Sequence, residues 1–147
     1  MAGSRVLVVK PESIPSNTRR GGEVRTMLSP GTVGSTSGFM GTAIIEAGDY
    51  VSLHRHPYSE EFILLVQGDI EVQTDNENEA VRLSSGQGAM IPKETPHRLR
   101  NTGADRAFLV FHLSPLAPRP ELGHVDLEEH IQPGEPAAAG TGPGGTA

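Results

Sequence analysis

Short apolar runs, each followed by a turn signal, constrain most strongly how this chain of 147 residues can fold. The runs cover residues 42–45, 62–66, 70–73, 89–91 and 107–113, and short segments that contain Gly, Asn or Asp separate them. This spacing is typical of antiparallel strands joined by tight turns. The 18 glycines and 12 prolines also disfavour long helices. We therefore predict an all-β fold, a double-sheet jelly roll or small barrel with an interior cavity and minor helix.

The length predicts one domain, because 147 residues are too few for two domains of ordinary size. We place a single domain with an N-terminal arm at residues 1–132. Within the arm, residues 5–9 (RVLVV) form a plausible edge strand that needs a partner. Residues 125–131 (VDLEEHI) have a pattern compatible with one or two helical turns. Residues 133–147 contain almost only Pro, Gly, Ala and Thr, and this composition predicts a disordered tail.

Composition excludes several functional classes. The chain has no cysteine, so disulfides, thiolate metal sites and cysteine nucleophiles are excluded, and a reducing, cytoplasmic location is expected. A formal net charge of −6 gives no electrostatic reason to expect a nucleic-acid partner. The first apolar run, at residues 6–9, is far too short for a membrane span. A small-molecule substrate fits best.

A histidine pair suggests a metal site. His54 and His56 lie two residues apart near the end of a predicted strand, so both side chains point to the same face. After a short turn, Glu60 and Glu61 open the next strand. Alternation places Glu61 on the face of Ile63 and Glu60 on the opposite face, so only one of them can join the site. The sequence leaves that choice open.

A third imidazole follows at His97, after a segment that Pro92 and Pro96 mark as a turn. Nitrogen and carboxylate ligands of this kind suit Zn, Fe(II), Mn, Ni or Co, and the lack of sulfur removes softer choices. We expect one divalent ion per chain.

The spacing of these residues resembles two motifs of the cupins. The first is Gly48-x5-His54-x-His56-x4-Glu61-x6-Gly68, and the second is Gly86-x5-Pro92-x4-His97-x3-Asn101. The departure is Glu94, at a turn position where the second motif usually has glycine. The resemblance implies a cupin double-stranded β-helix with one metal held by His54, His56, Glu61 and His97. It also implies a homodimer that pairs through the first strands.

A closer resemblance covers nearly the whole chain except the tail. Residues 19–41, 56–62, 97–103 and 109–126 are similar to the small single-domain cupins of aromatic polyketide biosynthesis in actinomycetes, among them the resistomycin, tetracenomycin and spore-pigment cupins. This resemblance implies a metal-dependent polyketide cyclase and aromatase, with zinc the favoured ion and Fe, Mn or Ni as alternatives. Its substrate would be a poly-β-ketone, either free or tethered to an acyl carrier protein.

Further site residues are expected around the metal. His112 alternates with apolar residues in a predicted strand and is a candidate additional ligand or a replacement for Glu61. The general base is left open among Glu61, Glu60 and a metal-bound water or hydroxide. His124 and His130 are expected to be solvated or at a subunit contact. The predicted cavity wall comprises Phe39, Met40, Phe62, Leu64, Met90, Phe108 and Phe111, with Tyr58 at the mouth.

Three functions compete. A cyclase would polarise one carbonyl of the poly-β-ketone while a base removes an adjacent methylene proton. A mononuclear metal dioxygenase acting on an aromatic or polyketide-derived substrate would use the same ligand types with dioxygen. In a non-catalytic ligand-binding protein or chaperone of a synthase complex, the metal would be structural only.

Overall fold

The computed structural model describes residues 4–76 and 78–131, so the predicted tail at 133–147 lies outside the described residues. It contains ten strands: β1 (Glu23–Leu28), β2 (Phe39–Ile45), β3 (Tyr50–Arg55), β4 (Glu60–Gln67), β5 (Asp69–Gln73), β6 (Ala80–Ser84), β7 (Gly88–Ile91), β8 (His97–Asn101), β9 (Ala107–Ser114) and β10 (Val125–Asp126). One short helix, α1 (Pro30–Val33), and 3₁₀ turns at Pro11–Ser13 and Pro120–Leu122 complete the described elements.

The strands form two five-stranded sheets. Sheet A has the order β1-β2-β9-β4-β7 and sheet B the order β10-β3-β8-β5-β6, and each strand pair is antiparallel. The all-β double-stranded β-helix expected from the sequence is confirmed. The helical prediction for residues 125–131 is wrong, because β10 instead pairs with β3 and places Asp126 opposite His54. Backbone hydrogen bonds across the sheet thus replace those of a helical turn.

The core fills the space between the sheets. On β4, Ile63 and Leu65 are buried, and on β9 Leu109 and Leu113 are buried, while their neighbours in sequence point away. This alternation is the period of two expected of a strand with one face against the core. At the edge of sheet A the packing is close: a Cβ on Gly41 would lie 2.2 Å from the carbonyl oxygen of Arg25, so only glycine fits there.

The outer face of sheet A is also apolar. Met40, Phe62 and Met90 lie in register across β2, β4 and β7, with His112 of β9 between the first two. These side chains are exposed, with Phe62 at 43%. Leu64 and Val66 extend the same exposed face along β4. Sheet A therefore presents large apolar side chains on both faces.

The N-terminal arm pairs with β1 only through an isolated bridge between Asn17 and Val24, and its first described residues are exposed. Val6 is 91% exposed and Val8 81% exposed. Within the part of the chain that the structure describes, the backbone of residues 5–9 has no hydrogen-bond partner. The expectation that this segment is an edge strand in need of a partner stays a prediction. Among the described residues, none of the helices is long and apolar enough to cross a membrane.

Candidate metal centre

Both sheets contribute to a cluster of three imidazoles and one carboxylate. His54 lies near the end of β3 and His97 begins β8, both in sheet B; His56 directly follows β3, and Glu61 lies on β4 of sheet A. All four side chains are buried, and one ligand atom from each lies within 4.8 Å of the others. The buried face of β4 therefore selects Glu61, while Glu60 is exposed. Three nitrogen donors and one oxygen donor in a buried group of this size fit a divalent ion.

Each of the three imidazoles is fixed by a backbone carbonyl. The Nδ1 atoms of His54, His56 and His97 lie 2.7, 2.9 and 2.9 Å from the carbonyl oxygens of Ser52, Gly123 and Thr95. A carbonyl oxygen only accepts, so each Nδ1 must carry a proton and donate it. The Nε2 atom of each ring is then the one available to a metal. Such contacts also fix the ring orientation, as second partners of metal-bound histidines generally do.

Glu61 links two of the histidines. Its Oε1 atom lies 2.9 Å from Nε2 of His97 and 3.3 Å from Nε2 of His56. Burial raises the pKa of the Glu61 carboxyl, but the hydrogen bonds from His56 and His97 outweigh it and hold this pKa well below its ordinary value. Burial lowers the pKa of His97, yet its hydrogen bond to Glu61 brings the net shift upward. Each of the two groups therefore shifts the pKa of the other towards its charged form.

His54 stays neutral. Burial lowers its pKa well below the ordinary value, and the neighbouring His97 and His124 lower it further. The burial of His54 thus favours its neutral form, which is the form of a histidine that binds a metal ion.

A large cavity adjoins this cluster. It has a volume of about 710 Å³ and is reached by His54, His56 and Glu61. Its apolar wall comes mainly from sheet A, through Ala43, Leu109, Phe111 and Leu113, and from Phe39. Arg20, Asn17, Ser29 and Ser35 add polar groups from the segments before β2. An apolar cavity with a few polar groups and a metal-ligand cluster at one side is typical of a small-molecule site.

A fourth imidazole lies against the cluster. The ring of His124 stacks on His54 with centroids 4.4 Å apart and planes 9° apart, and it lines the cavity. Its Nε2 lies 2.8 Å from Asp126, which also accepts a 2.6 Å hydrogen bond from Nε of Arg20. Burial and the nearby Arg20 lower the pKa of His124 to about 4.

Comparison with known proteins agrees with this geometry. The profile of the Cupin domain family matches residues 41–113, the segment that contains all four clustered residues. Protein SchB of Streptomyces halstedii is 52% identical over 129 residues, which cover 88% of this chain and 92% of SchB. The chain belongs to the cupin family.

Two further relatives have names that refer to polyketide synthases. Polyketide synthase CurC of Streptomyces cyaneus is 54% identical and is matched over 84% of this cupin and 79% of CurC. Tetracenomycin polyketide synthase protein TcmJ of Streptomyces glaucescens is 41% identical over 79% of this chain and 76% of TcmJ. Among solved structures, a predicted oxalate decarboxylase from Thermotoga maritima shares the fold, with a TM-score of 0.62 and 20% identity over 75% of this chain and all of the other.

The structure places His112 away from the cluster. His112 lies on the outer face of sheet A, opposite Met40 and Phe62 in register, whereas its neighbours Phe111 and Leu113 face the cavity. The prediction that it joins or replaces Glu61 fails on this geometry. The apolar pattern of β9 continues through both alternating faces, so the sequence identifies two faces without showing which one is inside.

The same ambiguity explains the expected cavity wall. Phe39 and Phe111 line the cavity as predicted. Five other expected wall residues do not line it, because they alternate with buried neighbours or lie on the outer face of sheet A: Met40, Phe62, Leu64, Met90 and Phe108. Tyr58, expected at the mouth, is exposed in the turn after His56. Phe62, Leu64 and Met90 instead border a shallow groove on the outer face.

His124 and His130 were expected to be solvated or at a subunit contact, and the structure corrects both. His124 contacts the metal-ligand cluster, and the side chain of His130 is 2% exposed, packed against Tyr50. Their positions depend on pairing between β10 and β3, which are separated by some 70 residues of chain. No local pattern marks such a pairing. The similarity of residues 109–126 to the polyketide cupins was the available signal that this segment contributes to the folded domain.

Proposed function

We propose that this cupin is a metal-dependent polyketide cyclase and aromatase, which directs aldol cyclisation and dehydration of a poly-β-ketone. The observation that carries the proposal is the set of three buried imidazoles, each with Nδ1 fixed by a carbonyl, beside Glu61 at one side of a 710 Å³ apolar cavity. The names of CurC and TcmJ, which refer to polyketide synthases, support a polyketide-related substrate.

The four clustered residues would hold one divalent ion, for which zinc is favoured and Fe, Mn and Ni are alternatives. When bound, such an ion supplies Lewis-acid polarisation of a ketone oxygen. His54, His56 and His97 orient their Nε2 atoms towards one point through their backbone contacts. Glu61 is proposed as a ligand rather than as the general base, because a carboxylate with so depressed a pKa is a weak proton acceptor. Glu60 points away from the site and is not part of the mechanism.

The cavity wall would select which carbons react. A poly-β-ketone is intrinsically reactive, so the catalyst mainly has to hold one pair of carbons together, which lowers the entropic part of the barrier. Phe39, Leu109 and Phe111 form a rigid apolar surface on which the chain can fold, and they exclude water from it. Arg20, which lines the same cavity, would provide a hydrogen-bond donor for a ketone oxygen.

One experiment separates the candidate functions. The purified protein is analysed for metal, and a polyketide synthase is then run with and without it, in air and under nitrogen. We expect about one divalent ion per chain and a changed ring pattern that does not require oxygen. A product change that requires oxygen would favour a mononuclear metal dioxygenase, for which the same ligand types are suited. No product change in either gas would contradict catalysis and favour a binding role.

We also propose that the cupin forms a homodimer in the cytoplasm, the location favoured by its cysteine-free composition. Among residues 4–76 and 78–131, two apolar surfaces are exposed: the arm around Val6 and Val8, and the outer face of sheet A around Phe62 and Met90. Residues 5–9, if extended, would span about 17 Å, enough to cross four strands spaced about 4.8 Å apart. In a dimer with two-fold symmetry, the arm of each chain would pack on the outer face of sheet A of the other, so both surfaces of both chains would be buried.

Light scattering after size exclusion tests the dimer. F62E and V8D are expected to give monomers, because each places a charge on one of the two surfaces. V81E serves as the control, since Val81 is also exposed, at 56%, but lies on β6 of sheet B. A dimer that survives F62E and V8D would contradict this interface. Whether the substrate is carried on an acyl carrier protein is tested by comparing free and carrier-bound substrate in the synthase assay.

A further inference from the structure

The segment after β9 closes over the metal-ligand cluster. We call residues 123–131 the strap; it lies outside the part of the chain that the Cupin domain profile matches. Val125 and Asp126 of β10 pair with Arg55 and His54 of β3, and the N–H of Leu127 donates to the carbonyl of Leu53 at 2.9 Å. The strap therefore continues sheet B along the strand that carries His54 and directly precedes His56.

The strap provides contacts to two proposed ligands. The carbonyl oxygen of Gly123 accepts the hydrogen bond from Nδ1 of His56, and the ring of His124 stacks on His54. Asp126 holds His124 in turn and is itself held by Arg20. The orientation of His56 and His54 thus depends on where the strap lies.

Glu128 anchors the strap to both histidine-bearing strands. Its Oε1 atom accepts hydrogen bonds from the N–H of Leu53 at 2.6 Å and from Nε of Arg98 at 2.7 Å. Its Oε2 atom accepts a second hydrogen bond from the Arg98 guanidinium. Leu53 directly precedes His54, and Arg98 directly follows His97. One carboxylate therefore ties the strap to β3 and β8 beside their ligands, through a two-pronged charge-assisted contact.

His130 forms a second anchor. Its buried ring packs on Tyr50, with Nε2 3.3 Å from Asp49, and the N–H of Ile131 donates to the Tyr50 hydroxyl at 3.1 Å. Gly21, at φ +98°, makes this possible: a Cβ there would lie 1.9 Å from the Tyr50 carbonyl oxygen and 2.5 Å from Cε1 of His130. The glycine pair at residues 21–22 therefore leaves room for the end of the strap.

We propose that Glu128 and His130 are positioning residues, which hold the strap so that it orients His54 and His56 and slows the release of the ion from the site. The inference rests on the proposed metal-binding function. It extends that function to a segment beyond the four clustered residues. Loss of partners that orient metal ligands typically weakens metal binding by about 10- to 100-fold.

The test compares E128A with E129A. Glu129 is the exposed neighbour of Glu128 in the same strap, so its variant changes the charge equally without the anchor. Each protein is loaded with zinc, and release to an excess of chelator is followed; cobalt-loaded samples report the ligand geometry by their visible spectrum. We expect E128A to release zinc at least about 10-fold faster and to change the cobalt spectrum, and E129A to behave as wild type. H130A is expected to show a smaller change of the same kind.

Thermal unfolding of the metal-free proteins separates positioning from general stability. If E128A lowers the melting temperature of the metal-free protein but leaves the zinc release rate and the cobalt spectrum unchanged, the positioning role is refuted. E128Q provides a second variant if E128A does not fold, because its side-chain oxygen still accepts from Leu53 while the charge facing Arg98 is lost. A wild-type protein that binds no metal would overturn the proposed function itself, and this inference with it.

Discussion

Metal binding should stabilise the folded cupin by an amount that can be calculated. An ion that binds only the folded state at 100 times its dissociation constant contributes about 2.7 kcal/mol. For a chain of this size, 1 kcal/mol corresponds to a shift of roughly 2–4 °C in melting temperature. The expected increase on zinc addition is therefore about 5–11 °C. Each further tenfold increase in free zinc adds about 1.4 kcal/mol.

Two histidine variants make this prediction specific. His97 is 1% exposed and lies 2.9 Å from Glu61, so H97Q removes a proposed ligand from the centre of the cluster. His112 lies on the outer face of sheet A, so H112Q changes the same residue type at a position outside the site. We expect H97Q to lose the zinc-dependent shift and H112Q to keep it in full.

Differential scanning calorimetry at defined free zinc, buffered by a chelator, measures these shifts. The metal-free melting temperature of each variant serves as its own reference, so a general loss of stability does not count as loss of binding. A wild-type protein whose melting temperature does not respond to any suitable divalent ion would refute the assignment of the cluster. So would an H112Q protein that has lost the response.

Three other predictions concern the strap, the sheet packing and the cavity. Burial raises the pKa of Glu128, but the hydrogen bond from Arg98 outweighs it, so the pKa of Glu128 lies below the ordinary 4.5. Urea unfolding of wild type and E128Q should therefore give a difference in the free energy of unfolding that is full at neutral pH. This difference should shrink as the pH falls below 4.5. A difference that is equal at all pH values would contradict this sign. G41A should lower the free energy of unfolding by at least about 1–3 kcal/mol in the same assay, because its Cβ would meet the β1 backbone. G31A is the control: the nearest atom to its Cβ would be 3.8 Å away, so its free energy of unfolding should stay within about 0.5 kcal/mol of wild type. A43L should narrow the cavity and change the ring pattern made with the synthase while the zinc-dependent shift persists; an unchanged ring pattern would remove Ala43 from the substrate surface.

Local periodicity predicts much of this molecule. The spacing of His54 and His56 on one strand, followed by a short turn, is sufficient to bring both imidazoles and one glutamate together. The choice between Glu60 and Glu61 needs one additional fact, namely which face of β4 is buried. Each of these inferences depends on residues 54–61, a short segment that leads from β3 of one sheet to β4 of the other, where the period of two decides the face.

Two features of the structure could not be predicted from the sequence, each for a physical reason. Alternation separates the faces of β9 but does not show which is inside, and because sheet A is apolar on both, His112 and Phe108 were placed on the wrong one. The strap depends on contacts between distant segments, such as Glu128 with Arg98, and a short polar sequence does not specify its partner. Such pairings are determined by the assembled fold.

The distribution of the cluster over the two sheets has a consequence for unfolding. Glu61 comes from sheet A and His97 from sheet B, so the 2.9 Å hydrogen bond between Glu61 and His97 joins the two layers of the sandwich. The layers cannot separate without breaking this bond. A partly unfolded chain in which the sheets have separated has therefore lost the site, even if one sheet remains intact. Opening of the sandwich, loss of the site and loss of the cavity form one cooperative event.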